Sequence, residues 1–194
     1  TAAVRRGAPT RTIVADLPWV AARDPEAGLA AARRLIDAGA DAVKLEALPD
    51  SWDVLARLIA GGIPVMGHVG LLPQLVEEGD FRVAGRGAAA EAVRDAARAQ
   101  EEAGCFALVV ECVPADLGRR ITRERGIPTI GIGAGADTSG QILVINDLIG
   151  MMPGRTPRFV REFGDAVTPL ADAVRDYADA VRSGNFPGPD ERYE

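Results

Sequence analysis

The feature of this sequence that most constrains its fold is an internal repeat of a strand and a helix. Residues 38–46 (AGADAVKLE) align with residues 103–111 (AGCFALVVE), and residues 62–67 (GIPVMG) align with residues 126–131 (GIPTIG). In each copy a glycine ends a helical stretch and a short apolar run follows, which is the pattern of a βα unit. Repeated βα units with right-handed crossovers build either a doubly wound sheet or a (β/α)₈ barrel.

Short apolar runs rich in β-branched residues are predicted to be strands buried on both faces, because their apolar residues are continuous rather than alternating. These runs are residues 12–15, 42–45, 63–66, 107–110 and 127–132, and a further strand is predicted at 141–145. Helices are predicted at 25–37, 52–60, 88–103 and 115–125. The first of these has Asp24 as its N-cap and Pro25 at its first position. C-terminal helices are predicted over 156–183, with interruptions near Gly164 and Pro169.

The residues at the ends of the predicted strands favour the barrel over the doubly wound sheet. Asp16, Glu46, His68 and Glu111 each end or closely follow an apolar run, and three of these four side chains are acidic. A barrel gathers such residues into one site at its carboxyl-terminal rim. The six predicted strands in 194 residues fall short of the eight strands and roughly 250 residues of a closed barrel. We therefore expect an incomplete barrel that forms a single domain over residues 1–194.

Composition argues against two classes of partner. The chain has 22 basic and 28 acidic residues and a formal net charge of −6, which leaves no basic surface for nucleic acid. No apolar run reaches the roughly 18 residues that a membrane span needs, and the N-terminal residues lack the apolar stretch of a signal peptide. A soluble cytoplasmic protein is expected. Cys105 and Cys112 flank one predicted strand, too far apart for a disulfide, so both are expected to be small buried side chains.

Lys44, the only lysine of the chain, and Glu46 lie two residues apart and therefore point to one face of a strand. Two charges on one face of a buried strand are costly unless they pair with each other or face a polar site, and both alternatives remain open. Asp16 is either a turn residue or a carboxylate presented where a strand ends. Carboxylates gathered at one rim suit Mg²⁺, whereas a single histidine and the absence of a cysteine cluster disfavour zinc.

Two further candidates follow the third and fourth strands. His68, the only histidine, is flanked by glycines that let the backbone approach a ligand, and a buried core histidine is the equal alternative. Glu111 ends an apolar run, and the partial desolvation expected there suits a general base. The glycines of residues 131–135 (GIGAG) lack the spacing of a dinucleotide fingerprint and the lysine of a P-loop. They are interpreted as a close approach of the backbone to substrate.

Several segments, in this order, resemble the ketopantoate hydroxymethyltransferase (3-methyl-2-oxobutanoate hydroxymethyltransferase) family over residues 1 to about 187. They are TAAVRRGAP (1–9), ADLP (15–18), VKLE (43–46), GHVGLLPQ (67–74), VAGR (83–86), LVVECVP (108–114), GIGAG (131–135) and GQILV (140–144). The resemblance implies a (β/α)₈ TIM-type barrel of the phosphoenolpyruvate mutase and isocitrate lyase superfamily. It also implies dependence on Mg²⁺ and a ring-like homo-oligomer built from dimers.

The resemblance also implies a reaction and the residues that carry it. The family transfers a hydroxymethyl group from the folate 5,10-methylenetetrahydrofolate to the 2-oxo acid 3-methyl-2-oxobutanoate, giving ketopantoate for pantothenate synthesis through a magnesium-stabilised enolate. By this resemblance Asp16 and Glu46 are the metal-associated carboxylates, and Asp16, Lys44 and His68 bind substrate. Glu111 is the implied catalytic residue, which accepts the C3 proton.

The chain departs from the family pattern in two places. Leu72 stands where the family usually has threonine, close to His68 in sequence. The family begins with two further βα units, the second ending in a Gly-Asp-Ser motif whose Asp binds metal and whose Ser binds substrate, and this sequence contains no such motif. We therefore expect the chain to be the C-terminal portion of a longer barrel, poorly soluble and inactive when isolated, because two open sheet edges favour aggregation.

Two other functions remain open at this point. One is another magnesium-dependent lyase or mutase of the same superfamily that acts on 2-oxo acids. Those enzymes usually rely on a catalytic cysteine in a mobile loop, and neither cysteine of this chain is predicted to lie in one. The other is a non-catalytic barrel remnant that only associates with related subunits, and magnesium binding would distinguish a remnant from an enzyme.

Overall fold

The computed structural model describes residues 1–47, 51–75, 82–152, 154 and 156–193, and within them six parallel strands form one sheet. The strands are β1 (Val14–Asp16), β2 (Ala42–Lys44), β3 (Val65–Gly70), β4 (Ala107–Glu111), β5 (Thr129–Ile132) and β6 (Gly140–Gln141). Each strand pairs with the next one along the chain, and all five pairings are parallel. This sequential order is that of a (β/α)₈ barrel, whereas the order of a doubly wound sheet reverses. The predicted fold class is confirmed: the six strands form a half-barrel.

Helices follow β1 to β4 in alternation, as the internal repeat predicts, whereas β6 follows β5 with no helix between them. The helices are α1 (Ala2–Gly7), α2 (Pro25–Asp37), α3 (Trp52–Ala60), α4 (Ala89–Ala103), α5 (Ala115–Glu124), α6 (Ile145–Leu148) and α7 (Val167–Arg182), with 3₁₀ turns at Trp19–Arg23, Pro73–Leu75 and Pro189–Glu191. The Asp24 carboxylate accepts a hydrogen bond from the Ala27 N–H at 2.7 Å, and Pro25 is the first helical residue. Both features begin α2 where the sequence predicts it. None of the helices in the described ranges is both long and apolar enough to cross a bilayer.

The apolar core lies between the sheet and the helices that surround it. One cluster joins the outward side chains of β2 and β3 to α2 and α3, and includes Val43, Leu55 and Val65. A second joins β3 and β4 to α4 and α5, and includes Leu108 and Ile121. The opposite face of the sheet belongs to neither cluster. Packing of helices on one face therefore leaves the other face to the polar side chains at the strand ends.

Contacts divide the chain into two compact units, Thr1–Ile142 and Leu143–Glu194. The prediction of one domain over residues 1–194 stays a prediction. Within the second unit, the Phe163 N–H donates to the Leu148 carbonyl at 2.8 Å and the Ala166 N–H to the Ile149 carbonyl at 2.9 Å. These backbone bonds hold the segment before α7 against the end of α6.

The predicted C-terminal helices are only partly correct, since α7 covers Val167–Arg182 and the described residues of 156–166 are not helical. The Asp165 carboxylate accepts hydrogen bonds from the N–H groups of Val167 (3.1 Å) and Thr168 (3.0 Å), which the first turn of the helix leaves unpaired. Bonds from Thr168 hold the pKa of Asp165 below its ordinary value. Pro169 does not interrupt α7, because the N–H it lacks is one that the first turn leaves unpaired.

Two other segments differ from prediction. The strand predicted at 141–145 is confined to Gly140–Gln141, and Ile145 instead begins the short helix α6. The sequence also gave no prediction of α1. Its Arg5 side chain donates to the Gly39 carbonyl at 2.8 Å and pairs with Asp41 at 2.6 Å. These long-range bonds attach α1 to the turn before β2, and a local sequence pattern does not encode them.

Candidate active site

Four of the predicted site residues lie at or just beyond the carboxyl ends of β1, β2 and β4, and His68 lies within β3, two residues before its end. The register of β1 and β2 places Asp16 opposite Lys44, and β3 pairs with β4 as far as Glu111. Backbone bonds fix the chain beyond these strands: the Leu17 N–H donates to the Lys44 carbonyl, and the Leu71 N–H donates to the Glu111 carbonyl, each at 2.9 Å. Backbone hydrogen bonds therefore join the end of β1 to that of β2, and the end of β3 to that of β4.

The first pair at this rim is Lys44 with Asp16. The Lys44 Nζ lies 3.1 Å from Asp16 Oδ1, and the two side chains are 15% and 70% exposed. The partner of Lys44 in an ion pair, among the described residues, is thus the neighbouring strand's aspartate and not Glu46. A pair with one exposed partner contributes little to stability, about 0–1 kcal/mol. The ammonium is held at the rim, with its partner carboxylate open to solvent.

The second pair is His68 with Glu111. His68 Nε2 lies 3.3 Å from Glu111 Oε2, and the side chains are 1% and 12% exposed. The two groups do not meet in hydrogen-bond geometry, and neither ring nitrogen of His68 has a hydrogen-bond partner among the described residues. Buried polar atoms without partners are uncommon. This imidazole therefore has unmet hydrogen-bonding capacity beside Glu111.

Glu46 connects the two pairs. It is 4% exposed, and the Gln74 N–H donates to its Oε2 at 3.2 Å. Burial raises the pKa of Glu46 above the ordinary value and the charge of Glu111 adds to this, whereas His68, the Gln74 N–H and Lys44 act in the opposite direction. Glu46 is thus close enough to Lys44, His68 and Glu111 to interact electrostatically with all three. The structure brings the predicted residues of these strands together at one rim.

Two glutamines at this rim were not assigned a role from sequence. Gln74 donates its backbone N–H to Glu46, and its buried Oε1 has no hydrogen-bond partner among the described residues. Gln100 on α4 is buried and bonds to the backbone of His68. A signal for Gln100 exists: it lies at helical spacing from Val93 and Ala97, on the face of α4 that packs against the sheet. A glutamine on such a face needs a buried partner.

The carboxylates of this rim fit a magnesium ion held through few protein ligands. Across the described ranges, no three His, Cys, Asp or Glu side chains are placed to share one metal ion. Asp16 and Glu46 would supply oxygen ligands, and among the described residues no cation forms an ion pair with Glu46. Mg²⁺ is usually held by one or two carboxylates and takes its other ligands from water and substrate. The donor set therefore matches Mg²⁺ better than an ion enclosed by protein.

Neither cysteine has the properties of a nucleophile. Both are free and buried, as predicted. Burial raises the pKa of Cys105 to about 11, and burial together with the charge of Glu111 raises the pKa of Cys112. Thiols of high pKa are poor nucleophiles near neutral pH. This disfavours chemistry on a cysteine at this rim.

The glycine segment after β5 packs tightly against α5. A Cβ placed at Gly118 would collide with the Ala134 carbonyl, and one placed at Gly135 would collide with Ala115. Gly135 also has a φ of +83°, which residues other than glycine rarely adopt. The close backbone approach predicted here is therefore made to α5, and its approach to substrate stays a prediction.

Comparison with known proteins gives one family. The family model described as ketopantoate hydroxymethyltransferase matches residues 1–189. The chain is 45% identical to a 3-methyl-2-oxobutanoate hydroxymethyltransferase of Syntrophus aciditrophicus, covering all of this chain and 72% of the relative. It is 45% identical to the enzyme of that name from Chloroflexus aurantiacus, covering 98% of this chain and 68% of the relative.

Among solved structures, the fold is similar to the carboxyl transferase domain of Rhizobium etli pyruvate carboxylase. The TM-score is 0.50 at 12% identity, and the match covers 72% of this chain and 28% of that chain. At this level of identity the likeness concerns the fold alone. The two sequence relatives carry the family assignment independently of it.

Proposed function

The chain belongs to the ketopantoate hydroxymethyltransferase family, and we propose that it transfers a hydroxymethyl group from 5,10-methylenetetrahydrofolate to 3-methyl-2-oxobutanoate, giving ketopantoate and tetrahydrofolate. The observation that carries the proposal is the arrangement at the rim. A lysine paired with an exposed aspartate and a buried histidine beside a glutamate flank one buried carboxylate, Glu46. This set offers a cation for the acid, oxygen ligands for a metal and a base for a proton.

Asp16 and Glu46 are the residues that would hold Mg²⁺, which when bound would stabilise negative charge on the keto oxygen of the substrate. Lys44 would bind the negatively charged oxygens of the 2-oxo acid, because its ammonium lies at the rim and its partner carboxylate among the described residues, Asp16, is exposed. His68 would donate or accept a hydrogen bond through a ring nitrogen that has no partner in the described structure. These contacts would orient C3 of the substrate.

Glu111 would remove the proton from C3. Its carboxylate accepts the proton, and the electrons of the C–H bond form the carbon–carbon double bond of the enolate. The enolate carbon then attacks the methylene carbon of the folate, and the electrons of the broken carbon–nitrogen bond return to the folate nitrogen, which takes up a proton. Glu111 suits this role because its side chain is largely buried yet still reaches His68.

We also propose that the protein is a cytoplasmic homo-oligomer. The support is on α7, where exposed apolar side chains recur at alternating spacings of three and four residues. They are Val167, Leu170, Val174, Tyr177 and Val181. This spacing makes one apolar stripe along a helix and is typical of a seam between two helices. A second copy of the chain presents the same stripe, so we expect it to be the partner.

The test is product formation by the natural full-length protein. With 3-methyl-2-oxobutanoate, 5,10-methylenetetrahydrofolate and Mg²⁺, we expect ketopantoate by mass spectrometry, and its loss when EDTA removes the metal. Consumption of a 2-oxo acid without folate would instead indicate a lyase or mutase. A protein that neither binds Mg²⁺ nor forms product would be a non-catalytic remnant. Either result would overturn the proposal.

A further inference from the structure

The backbone of His68 is held by a side chain from the helix layer. The His68 N–H donates to Gln100 Oε1 at 2.8 Å, and Gln100 Nε2 donates to the His68 carbonyl at 3.0 Å. Gln100 lies on α4, 32 residues away in sequence, and is 1% exposed. One amide group thus satisfies both peptide groups of one residue.

This amide occupies the place of a neighbouring strand. The carbonyls of Pro64 and Met66 accept hydrogen bonds from the N–H groups of Val43 in β2 and of Leu45 just after it. Alternate residues of a parallel strand face the same neighbour, so the next bonds in this ladder fall on His68. Gln100 makes them instead, and β2 ends at Lys44. The chain after β2 is thereby free to leave the sheet and carry Glu46 to the rim.

The sequence leaves room for this contact at one position. A Cβ at Gly67, immediately before His68, would collide with Gln100 Oε1 and approach a methyl group of Leu108 at 2.8 Å. Only glycine lets the amide reach the strand. The contact between Gln100 and the backbone of His68 therefore requires glycine at position 67, because any larger residue would occupy the space of the Gln100 amide.

The Gln100 contact matters for the site because no hydrogen bond in the described structure holds the His68 ring itself. Neither ring nitrogen has a hydrogen-bond partner in the described part of the chain, and the 3.3 Å approach to Glu111 lacks hydrogen-bond geometry. The position of the ring therefore depends on the backbone of His68. That backbone depends in turn on Gln100 where β2 no longer pairs with β3.

We propose that Gln100 is a positioning residue for His68: its amide replaces the missing strand pairing and fixes the imidazole beside Glu111. The consequence for catalysis rests on the proposed function, whereas the consequence for the ring does not. An error of about 1 Å in a catalytic arrangement can cost about 100-fold in rate. We therefore expect a loss in kcat when Gln100 is replaced.

The test follows the imidazole resonances of His68 in the natural full-length protein labelled with ¹³C-histidine. They are assigned by their loss in His68→Gln. Gln100→Leu should shift or broaden these resonances and lower kcat by roughly 10- to 100-fold, with KM changed less than about 3-fold. Gln100→Glu keeps the acceptor for the His68 N–H and loses the donor to its carbonyl, so its effect should be intermediate.

The matched control is Thr122→Val. Thr122 on α5 bonds to the Gly118 carbonyl at 2.9 Å and to Thr129 Oγ1 on β5 at 2.7 Å, so it also joins a helix to a strand through a side chain. The substitution Thr122→Val should leave the His68 resonances and kcat unchanged. Unmoved resonances in Gln100→Leu, or equal shifts in Thr122→Val, would overturn the proposal. If Gln100→Leu does not fold, Gln100→Glu decides by the same readouts.

The two proposals can fail separately. A wild-type protein that forms no ketopantoate would contradict the proposed function, but the imidazole resonances would still test the positioning role. Normal product formation with unmoved resonances in both Gln100 variants would overturn the positioning role alone.

Discussion

His68 Nε2 lies 3.3 Å from Glu111 Oε2. The two residues belong to neighbouring strands, although a helix separates them along the chain. The pairing of β3 with β4 continues to Glu111, so the strands themselves bring the two side chains together. A carboxylate next to an imidazole can take up or pass on a proton. The arrangement makes the identity of the base open to direct experiment.

Glu111→Gln should slow the exchange of the C3 proton of 3-methyl-2-oxobutanoate with solvent by about 10²- to 10⁴-fold, because the amide is nearly isosteric and cannot accept the proton. Binding of Mg²⁺ and of the 2-oxo acid should be retained. The measurement is loss of the C3 proton signal by NMR in D₂O, using the natural full-length protein. Glu91→Gln, on the exposed face of α4, is the control. Unchanged exchange in Glu111→Gln would assign the proton transfer to another group.

Lys44→Met should raise KM for the 2-oxo acid with little loss of stability. A hydrogen bond to a charged group is worth about 1.5–3 kcal/mol, which corresponds to roughly 10- to 150-fold in binding. Thermal unfolding should change little, since the partner of Lys44 is an exposed aspartate. Steady-state kinetics against Arg98→Met, an exposed cation on α4, separates the role of Lys44 from loss of charge alone. An unchanged KM would exclude Lys44 from substrate binding.

Glu46→Gln should stabilise the metal-free protein at neutral pH. Burial raises the pKa of Glu46 in the folded state above the ordinary value of 4.5, so the folded protein binds this proton more tightly than the unfolded chain does. The stability that the protonated form contributes is present below pH 4.5 and is lost as pH rises through the raised pKa. The difference between Glu46→Gln and wild type should therefore be largest above that pKa and shrink in acid.

Urea unfolding in EDTA over a pH series measures this difference, and Glu26→Gln is a control of opposite sign. A hydrogen bond from Arg57 lowers the pKa of Glu26 in the folded state. Its contribution is therefore present above pH 4.5 and lost as pH falls through the lowered pKa, so Glu26→Gln should destabilise at neutral pH. If Glu46→Gln is less stable than wild type at neutral pH, contacts other than those described compensate the cost of burying the Glu46 carboxylate.

Sequence patterns predicted the parts of this fold that local signals encode. Asp24 and Pro25 mark the start of α2, and the glycines of the internal repeat precede β2 to β5. Because the carboxyl ends of parallel strands meet at one rim, the order of strands was enough to place Lys44 and Glu111 on the same side of the sheet. Their roles in the reaction stay predictions.

Contacts between distant segments could not be predicted in the same way. Among the described residues, Lys44 pairs with Asp16 on the neighbouring strand β1 rather than with Glu46, because Asp16 lies opposite it in the sheet whereas Glu46 lies beyond the end of β2. Gln100 reaches His68 across 32 residues. Both depend on which backbone groups remain unpaired in the sheet, and that is a property of the assembled strands rather than of either segment.

Gly70→Ala should destabilise the protein more than Gly62→Ala does. Both glycines have positive φ, +101° and +76°, so either substitution should cost about 1–2 kcal/mol through the backbone alone. A Cβ at Gly62 meets nothing within 4 Å, whereas one at Gly70 would collide with the carbonyl oxygen of Glu111, which cannot move without disturbing the sheet. Denaturant unfolding measures the two losses of unfolding free energy. Equal losses would show that the Glu111 carbonyl moves away from the added methyl group at no energetic cost.

Val174→Asp should reduce the size of the homo-oligomer, because it places a charge at the middle of the apolar stripe on α7. Burying an unpaired carboxylate in a helix seam is costly, whereas the same side chain in water is not. Val174 is exposed within one chain, so the substitution should leave the helix content seen by circular dichroism unchanged. Val174→Leu keeps the stripe apolar and serves as the control. Sedimentation velocity of the natural full-length protein measures the mass, and an unchanged mass in Val174→Asp would show that this stripe does not join two copies.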